Sequence, residues 1–230
     1  MTRPISWIFA SASFMLYACE GPEDAALARG AQATTVDAMS QSPLVIDDFT
    51  TGFDSLSLVA GHPPARLQIG SMLGGTREID FIVNADALQQ SSSYTINGAG
   101  GLVISSGLRS FWGVYLIYGY DVDHNFGSVD LDLSLYDRVC LAIGSNDQVV
   151  SGVVQFHKEG AWTTAPLHVE ESSTPFLVSI PYGEFASATG EPLPWSGVFL
   201  VVVLLQVGSP NAGNDLELKA LSLSLGACQS

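Results

Sequence analysis

Turn-forming residues interrupt this chain too often for long helices. From residue 43 onward, short apolar or alternating runs are separated by Gly, Pro, Asn, Asp and Ser. The runs span residues 44–49, 55–60, 77–83, 102–106, 111–120, 137–144, 149–157, 162–169, 176–180, 198–207 and 216–225. No long segment repeats apolar residues every 3.6 positions, so the runs are typical of strands in a sandwich or a barrel. We expect an all-β domain over residues 43–230, folded as a jelly-roll β-sandwich.

Two of the runs predict details of the sheets. Residues 198–205 are apolar at every position, which is too short for a membrane-spanning helix and favours a central strand covered on both faces. Residues 216–225 alternate in two opposite phases, and the phase changes at Ala220 and Leu221. Such a change predicts a β-bulge.

The first 18 residues have the features of a targeting signal. Arg3 is the only early charge, and residues 5–17 are uncharged and mostly apolar. The segment from Leu16 to Cys19 resembles the lipobox of bacterial lipoproteins. That resemblance implies cleavage before Cys19, lipidation of Cys19 and a lipid anchor in the outer membrane or at the cell surface. The alternative is a plain secretory signal followed by a chance cysteine.

Composition separates the next segment from the domain and limits the partners. Residues 19–42 are rich in Ala, Gln, Ser and Thr without a β-period, which predicts a flexible tether. The chain carries 8 Lys and Arg residues against 23 Asp and Glu, a formal net charge of −15. This charge repels nucleic acid and acidic lipid headgroups, so the membrane contact should come from the lipid anchor.

Three cysteines leave one pair if Cys19 is lipidated. An exported protein lies in oxidising surroundings, so Cys140 and Cys228 are predicted to form a disulfide. Two buried free thiols are the alternative.

Two segments resemble a known group of proteins. Asp47-Asp48-Phe49 opens the first strand, and Leu-Gly-Gly-Thr-Arg-Glu-Ile occupies residues 73–79. This pattern resembles uncharacterised exported bacterial proteins that begin with an Asp-Asp-Phe strand. The resemblance implies a galactose-binding-like jelly roll, related in shape to many carbohydrate-binding modules. We expect Arg77 to pair with Asp47 or Asp48 across the sheet as a structural contact.

A structural calcium is the only cofactor that the sequence suggests. The resemblance to sandwich proteins implies a site where Asp47 or Asp48 of the first strand lies beside Asp215 or Glu217 of the last strand. Residues 121–127 alternate Asp and Asn as calcium loops do, but they lack the closing Glu of an EF-hand. The alternative is that these acids are solvated or cap turns.

Motifs for catalysis are absent from the sequence. It has no nucleophile elbow, no zinc-protease helix and no phosphate-binding loop. Glycoside hydrolysis needs two acids at a set spacing, and the adjacent Glu170 and Glu171 have no evident partner. We therefore expect a non-catalytic protein.

Aromatic residues are the best candidates for a ligand site. In residues 111–120, the alternation puts Tyr115 on the lighter face, where Gly113 and Gly119 leave space for a stacked sugar ring. The alternative is that Tyr115 packs within a covered sheet.

A neighbouring hairpin adds four candidates, depending on its turn. A two-residue Glu-Gly turn would set His157 opposite Trp162 and Gln155 opposite Thr164, on one polar and aromatic face. A three-residue loop would set Trp162 opposite Phe156, in the core.

The sequence thus predicts a non-catalytic, lipid-anchored surface protein whose domain binds carbohydrate or another extracellular ligand. The predicted binding residues are Tyr115, Gln155, His157, Trp162 and Thr164. One alternative is a structural or assembly protein that contacts other envelope proteins, and another is a glycan-hydrolysing enzyme.

Overall fold

Fourteen strands in the described part of the chain pair into two antiparallel sheets. The computed structural model describes residues 42–84, 90–125, 127, 129–187, 195–207 and 213–229. The strands are β1 (Leu44–Asp47), β2 (Asp54–Leu58), β3 (Arg66–Ile69), β4 (Thr76–Asn84), β5 (Ser92–Ile96), β6 (Leu102–Ser106), β7 (Phe111–Tyr118), β8 (Arg138–Asn146), β9 (Val150–Lys158), β10 (Ala161–Val169), β11 (Phe176–Pro181), β12 (Ala186–Ser187), β13 (Leu200–Gln206) and β14 (Asn214–Ser224).

Helix is confined, in the described residues, to two 3₁₀ turns at Leu73–Gly75 and Tyr182–Glu184. Within those same residues, no helix is long and apolar enough to cross a bilayer. The predicted signal peptide (1–18), Cys19 and all but the last residue of the predicted tether (19–42) lie outside the described residues.

The strands are shared between the sheets in a jelly-roll arrangement. Sheet A has the order β11-β8-β14-β6-β5-β2, with β1 also paired to β14, and sheet B has the order β12-β10-β9-β13-β7-β4-β3. The chain passes repeatedly from one sheet to the other, so neighbours in a sheet are often distant in sequence. The predicted all-β jelly-roll β-sandwich is confirmed.

The core lies between the sheets and follows the alternation of each strand. In β7, Trp112, Val114, Leu116 and Tyr118 are buried, whereas the residues between them are partly exposed. The period of two sends alternate side chains to opposite faces, and burial of the apolar set stabilises the fold.

The predicted central strand and the predicted β-bulge are both found, and the bulge lies slightly before its predicted position. β13 is central in sheet B, between β9 and β7, as expected for a run that is apolar throughout. The register of β14 against β8 shifts on both sides of Leu218, slightly before the predicted bulge. The shift lets Leu216 and Leu218 share the core with Leu221 and Leu223.

A disulfide and a buried ion pair join distant parts of the chain. Cys140 of β8 is bonded to Cys228, the pair that the cysteine count predicted. Arg77 of β4 is fully buried and donates to the Asp47 carboxylate of β1. The predicted structural pairing of Arg77 is therefore with Asp47, so it links an end strand of sheet A to sheet B.

Candidate functional site

The β9–β10 hairpin has the register that a two-residue turn dictates. Lys158 lies opposite Ala161, so Glu159 and Gly160 form the turn. Gly160 has a φ of +72°, a left-handed conformation that glycine adopts without steric cost. The period of two along both strands then decides which side chains face outward.

This register places four of the predicted residues together. His157 lies opposite Trp162, and Gln155 lies opposite Thr164. Phe156 and Thr163 point the other way and are buried. The predicted polar and aromatic set is therefore on the outer side of sheet B, and the alternative register with Trp162 in the core is not found.

Trp162 is the exposed centre of the group. Its side chain is 46% exposed although it is large and apolar. The imidazole of His157 lies beside it, with ring centroids 6.4 Å apart and planes inclined by 20°. His157 Nε2 is 3.3 Å from Gln155 Oε1, and burial lowers the pKa of His157 from its ordinary value. The imidazole beside the indole is therefore neutral at physiological pH.

Tyr115 lies on the same outer side of sheet B, on β7, which is two strands from β9 and three strands from β10. It lies opposite Leu204 of β13, and Leu204 lies opposite Val153 of β9. Tyr115 is partly exposed, whereas its neighbours Val114 and Leu116 are buried. We call the outward side of β10, β9, β13, β7 and β4 the aromatic face. Strands are about 4.8 Å apart, so Tyr115 and the β10 row are separated by roughly 14 Å.

Apolar residues of β13 separate the two aromatic positions. Leu200 lies opposite His157 and Val202 lies opposite Gln155. Although both point outward, they are only 7% and 8% exposed. The aromatic face therefore has a low apolar strip along β13, with the bulky side chains of β10 and β7 on either side.

Only one of the two glycines beside Tyr115 leaves room for a ligand. A Cβ built on Gly113 would meet nothing nearer than 4.0 Å, so open space exists next to Tyr115. Gly119 differs, because a Cβ there would lie 2.1 Å from the Phe199 carbonyl oxygen. Its φ of +118° also suits glycine. Gly119 is therefore required by the backbone and not by a ligand.

Thr164 completes the predicted set with an unusual hydroxyl. Its Oγ1 is buried and has no hydrogen-bond partner in the described part of the chain. A buried hydroxyl without a partner loses the free energy of its bond to water.

Two acids of β4 extend the face, and the sequence analysis missed them. Glu78 lies opposite Ile117 and Asp80 lies opposite Tyr115. Both side chains point outward, between the buried Arg77, Ile79 and Phe81. The alternation of β4 is the signal that could have located them.

Each of these acids is covered by a histidine from a loop. His62 Nε2 is 2.7 Å from Asp80 Oδ1, and His124 Nδ1 is 3.0 Å from Glu78 Oε2. The sequence places these histidines far apart, so only the fold brings them to this face.

The acids also affect the nearby phenol. Burial, and then the charge of Asp80, raise the pKa of Tyr115 above its ordinary value. Tyr115 therefore remains a neutral phenol that can donate a hydrogen bond at physiological pH.

The predicted calcium ligands do not come together. The first and last strands do pair, but Asp47 lies opposite Leu221. Glu217 is four residues from that position, about 13 Å along the strand, and Asp215 is farther. Asp47 instead binds Arg77, and Asp48 accepts hydrogen bonds from Thr50. The register of the two strands, which strand adjacency alone does not fix, thus keeps Asp47 apart from Glu217.

The carboxylate of Asp121, in the second predicted calcium segment, accepts hydrogen bonds from its own loop. Asp121 Oδ1 accepts the backbone N–H groups of Asp123 and Asn125. These hydrogen bonds lower the pKa of Asp121. Among the described residues, no group of three or more His, Cys, Asp or Glu side chains is placed to hold a metal ion.

No protein-family model matches the chain, and no curated protein matches it. Among solved structures, a family 11 carbohydrate-binding module from Clostridium thermocellum, in complex with a β-1,3-1,4-mixed-linked tetrasaccharide, is 14% identical. That match covers 82% of this chain and 98% of the module, with a TM-score of 0.41. An agarase is 10% identical over 83% of this chain and 25% of its own, with a TM-score of 0.41. These similarities are weak in sequence and in structure, and they identify no function.

Proposed function

We propose that this is a non-catalytic, lipid-anchored surface protein that binds a polysaccharide across the aromatic face. The observation that carries the proposal is Trp162, an indole that is 46% exposed and lies beside His157. Exposed tryptophan costs free energy in water, and a sugar ring offers it an apolar C–H surface together with hydroxyl groups.

The polar groups around Trp162 suit the hydroxyls of a sugar. Gln155 offers an amide that both donates and accepts, and neutral His157 does the same. Sites for small polar ligands typically combine aromatic surface with a few polar groups of this kind.

The arrangement favours a chain of sugars over a single sugar. Trp162 and Tyr115 lie three strands apart, and the register also offsets them by four residues along the strands, so they are separated by roughly 20 Å, which is farther than one sugar ring extends. Gly113 leaves open space on the approach to Tyr115. A polysaccharide crossing the strands could contact both rings.

The lipid anchor and the surface location rest on the sequence. The segment from Leu16 to Cys19 resembles a lipobox, and residues 19–42 have the composition of a tether. Such an attachment would hold the aromatic face outside the membrane, where polysaccharides occur.

The test compares Trp162→Ala with a matched control in affinity electrophoresis. The gels contain hydroxyethylcellulose, xylan, galactomannan or laminarin. Phe53→Ala is the control, because Phe53 is also aromatic and is 68% exposed, but precedes β2 of sheet A. We expect the native protein and the control to be retarded by at least one polysaccharide. Trp162→Ala should bind about tenfold more weakly.

Two results would contradict the proposal. One is equal loss of affinity in the control and in Trp162→Ala, which would place binding elsewhere. The other is the absence of retardation by every polysaccharide, which would favour a role in envelope assembly. Urea unfolding of each variant separates lost binding from lost folding, and we expect both variants to change stability by less than about 1 kcal/mol.

A further inference from the structure

The acids of β4 lie directly beside the proposed polysaccharide site. Asp80 is the pairing partner of Tyr115, and Glu78 is two residues away on the same face. A polysaccharide that reaches Tyr115 would have Asp80 directly beside it, and Glu78 lies two residues away, towards the level of Trp162.

Each carboxylate is held in place and has one oxygen to spare. His62 engages Oδ1 of Asp80, and His124 engages Oε2 of Glu78. The other oxygen of each has no hydrogen-bond partner in the described part of the chain. The acids are only 21% and 12% exposed, whereas the histidines are 56% and 54% exposed. The histidines therefore hold the carboxylates in place, so that these side chains lose less conformational entropy when a ligand binds.

Carboxylate oxygens accept hydrogen bonds but cannot donate them. They suit hydroxyl groups, and they repel carboxylates and sulfates. No strand residue on the outward side of β10, β9, β13, β7 or β4 is lysine or arginine in the described part of the chain. On that side, therefore, no lysine or arginine of these strands offsets the negative charge, and the whole chain adds to it with a formal charge of −15. Like charges at close range cost binding free energy and exclude the wrong ligand.

We propose that Glu78 and Asp80 are specificity-determining residues. They accept hydrogen bonds from the hydroxyl groups of uncharged polysaccharides, and their charge excludes anionic polysaccharides. This proposal rests on the proposed function of the aromatic face. It adds a ligand class and two residues that the tryptophan hypothesis does not require.

The experiment measures binding of Glu78→Gln and Asp80→Asn to a neutral and an anionic polysaccharide. The probes are the neutral polysaccharide that the native protein binds best and polygalacturonate. Glu171→Gln is the control, because it removes one charge from the loop after β10, outside the aromatic face. We expect each β4 variant to bind the neutral polysaccharide about tenfold more weakly, since hydrogen bonds to charged groups are strong. Binding to polygalacturonate should rise in the β4 variants and not in the control.

A second measurement needs no variant. Salt screens charge repulsion, so added salt should increase the affinity of the native protein for polygalacturonate and leave the neutral polysaccharide unaffected. If the native protein binds neutral polysaccharide through Trp162 but neither the variants nor salt alter the preference, this proposal is overturned and the proposed function stands. If the native protein binds no polysaccharide at all, both are overturned.

Discussion

Arg77 and Asp47 form a fully buried ion pair that joins the two sheets. Arg77 is 0% exposed and Asp47 is 2% exposed. The guanidinium also donates to the Gly52 carbonyl oxygen at 2.9 Å and to Gln68 Oε1 at 2.9 Å. Tyr118 donates its hydroxyl to Asp47 at 3.0 Å. The pair is therefore surrounded by hydrogen bonds that compensate for the lost hydration of both charges.

Removal of one member should destabilise the domain strongly. Arg77→Met leaves the Asp47 carboxylate buried without a counter-charge, which costs about 3–5 kcal/mol of unfolding free energy. The double variant Asp47→Leu with Arg77→Met should be more stable than Arg77→Met alone. Urea unfolding of the two variants measures this difference. A double variant that is no more stable than the single one would mean that packing, and not charge, dominates.

The disulfide should stabilise the domain by restricting the unfolded chain. Cys140 and Cys228 are 88 residues apart, and a loop of this length corresponds to roughly 4–5 kcal/mol in the chain-entropy model. We expect the urea midpoint of the oxidised protein to fall on reduction. The Cys140→Ser, Cys228→Ser variant should have the midpoint of the reduced protein and should not respond to reductant. An unchanged midpoint on reduction would contradict this account.

A side chain at position 113 should block the space beside Tyr115. Gly113→Leu adds bulk on the same side of β7, and its Cβ meets no atom closer than 4.0 Å. We expect a stable variant that binds polysaccharide about tenfold more weakly. Isothermal titration and a thermal melt on the same sample check the two parts. Gly183→Leu is a control, because Gly183 also has open space and lies in the second 3₁₀ turn. Unchanged binding by Gly113→Leu would show that ligand does not use this space.

The pKa of His157 should lie below its ordinary value of 6.5, because burial disfavours the imidazolium form. The unfolded chain then binds the proton more readily than the folded one. The contribution of neutral His157 to the free energy of unfolding is fully present above pH 6.5, and it is lost as the pH falls from there through the pKa of the folded state. We expect His157→Gln to reduce the fall in unfolding free energy on acidification, measured by urea unfolding at several pH values. An NMR titration of His157 with a midpoint at or above 6.5 would contradict the prediction.

Local pattern predicted the hairpin and limited its outward residues to two alternatives. A two-residue turn or a three-residue loop was compatible with the sequence, and the observed two-residue turn, through the period of two, places Trp162, His157 and Gln155 on one side. Tyr115 was predicted for the same reason within β7. That these residues share one sheet could not be predicted, because β13, which lies between them, is distant in sequence.

The calcium prediction shows the limit of the same reasoning. It required the register between β1 and β14, which depends on how the whole core packs. A displacement of four residues separates Asp47 from Glu217 even though their strands pair. The acids of β4 were missed for the opposite reason, since their histidines come from loops 18 and 46 residues away.

By itself, the sequence determined the β-class, the alternation of inward and outward residues along the strands, the presence of a hairpin at Glu159 and Gly160, and the even pair of cysteines. These follow from short-range periodicity, turn chemistry and residue type. The tertiary structure decided that Trp162, Tyr115, Asp80 and Glu78 form one surface, and that Arg77 binds Asp47 and not Asp48. Pairing between strands far apart in the chain sets these contacts, and it is selected by burial of the whole core, which no local pattern encodes.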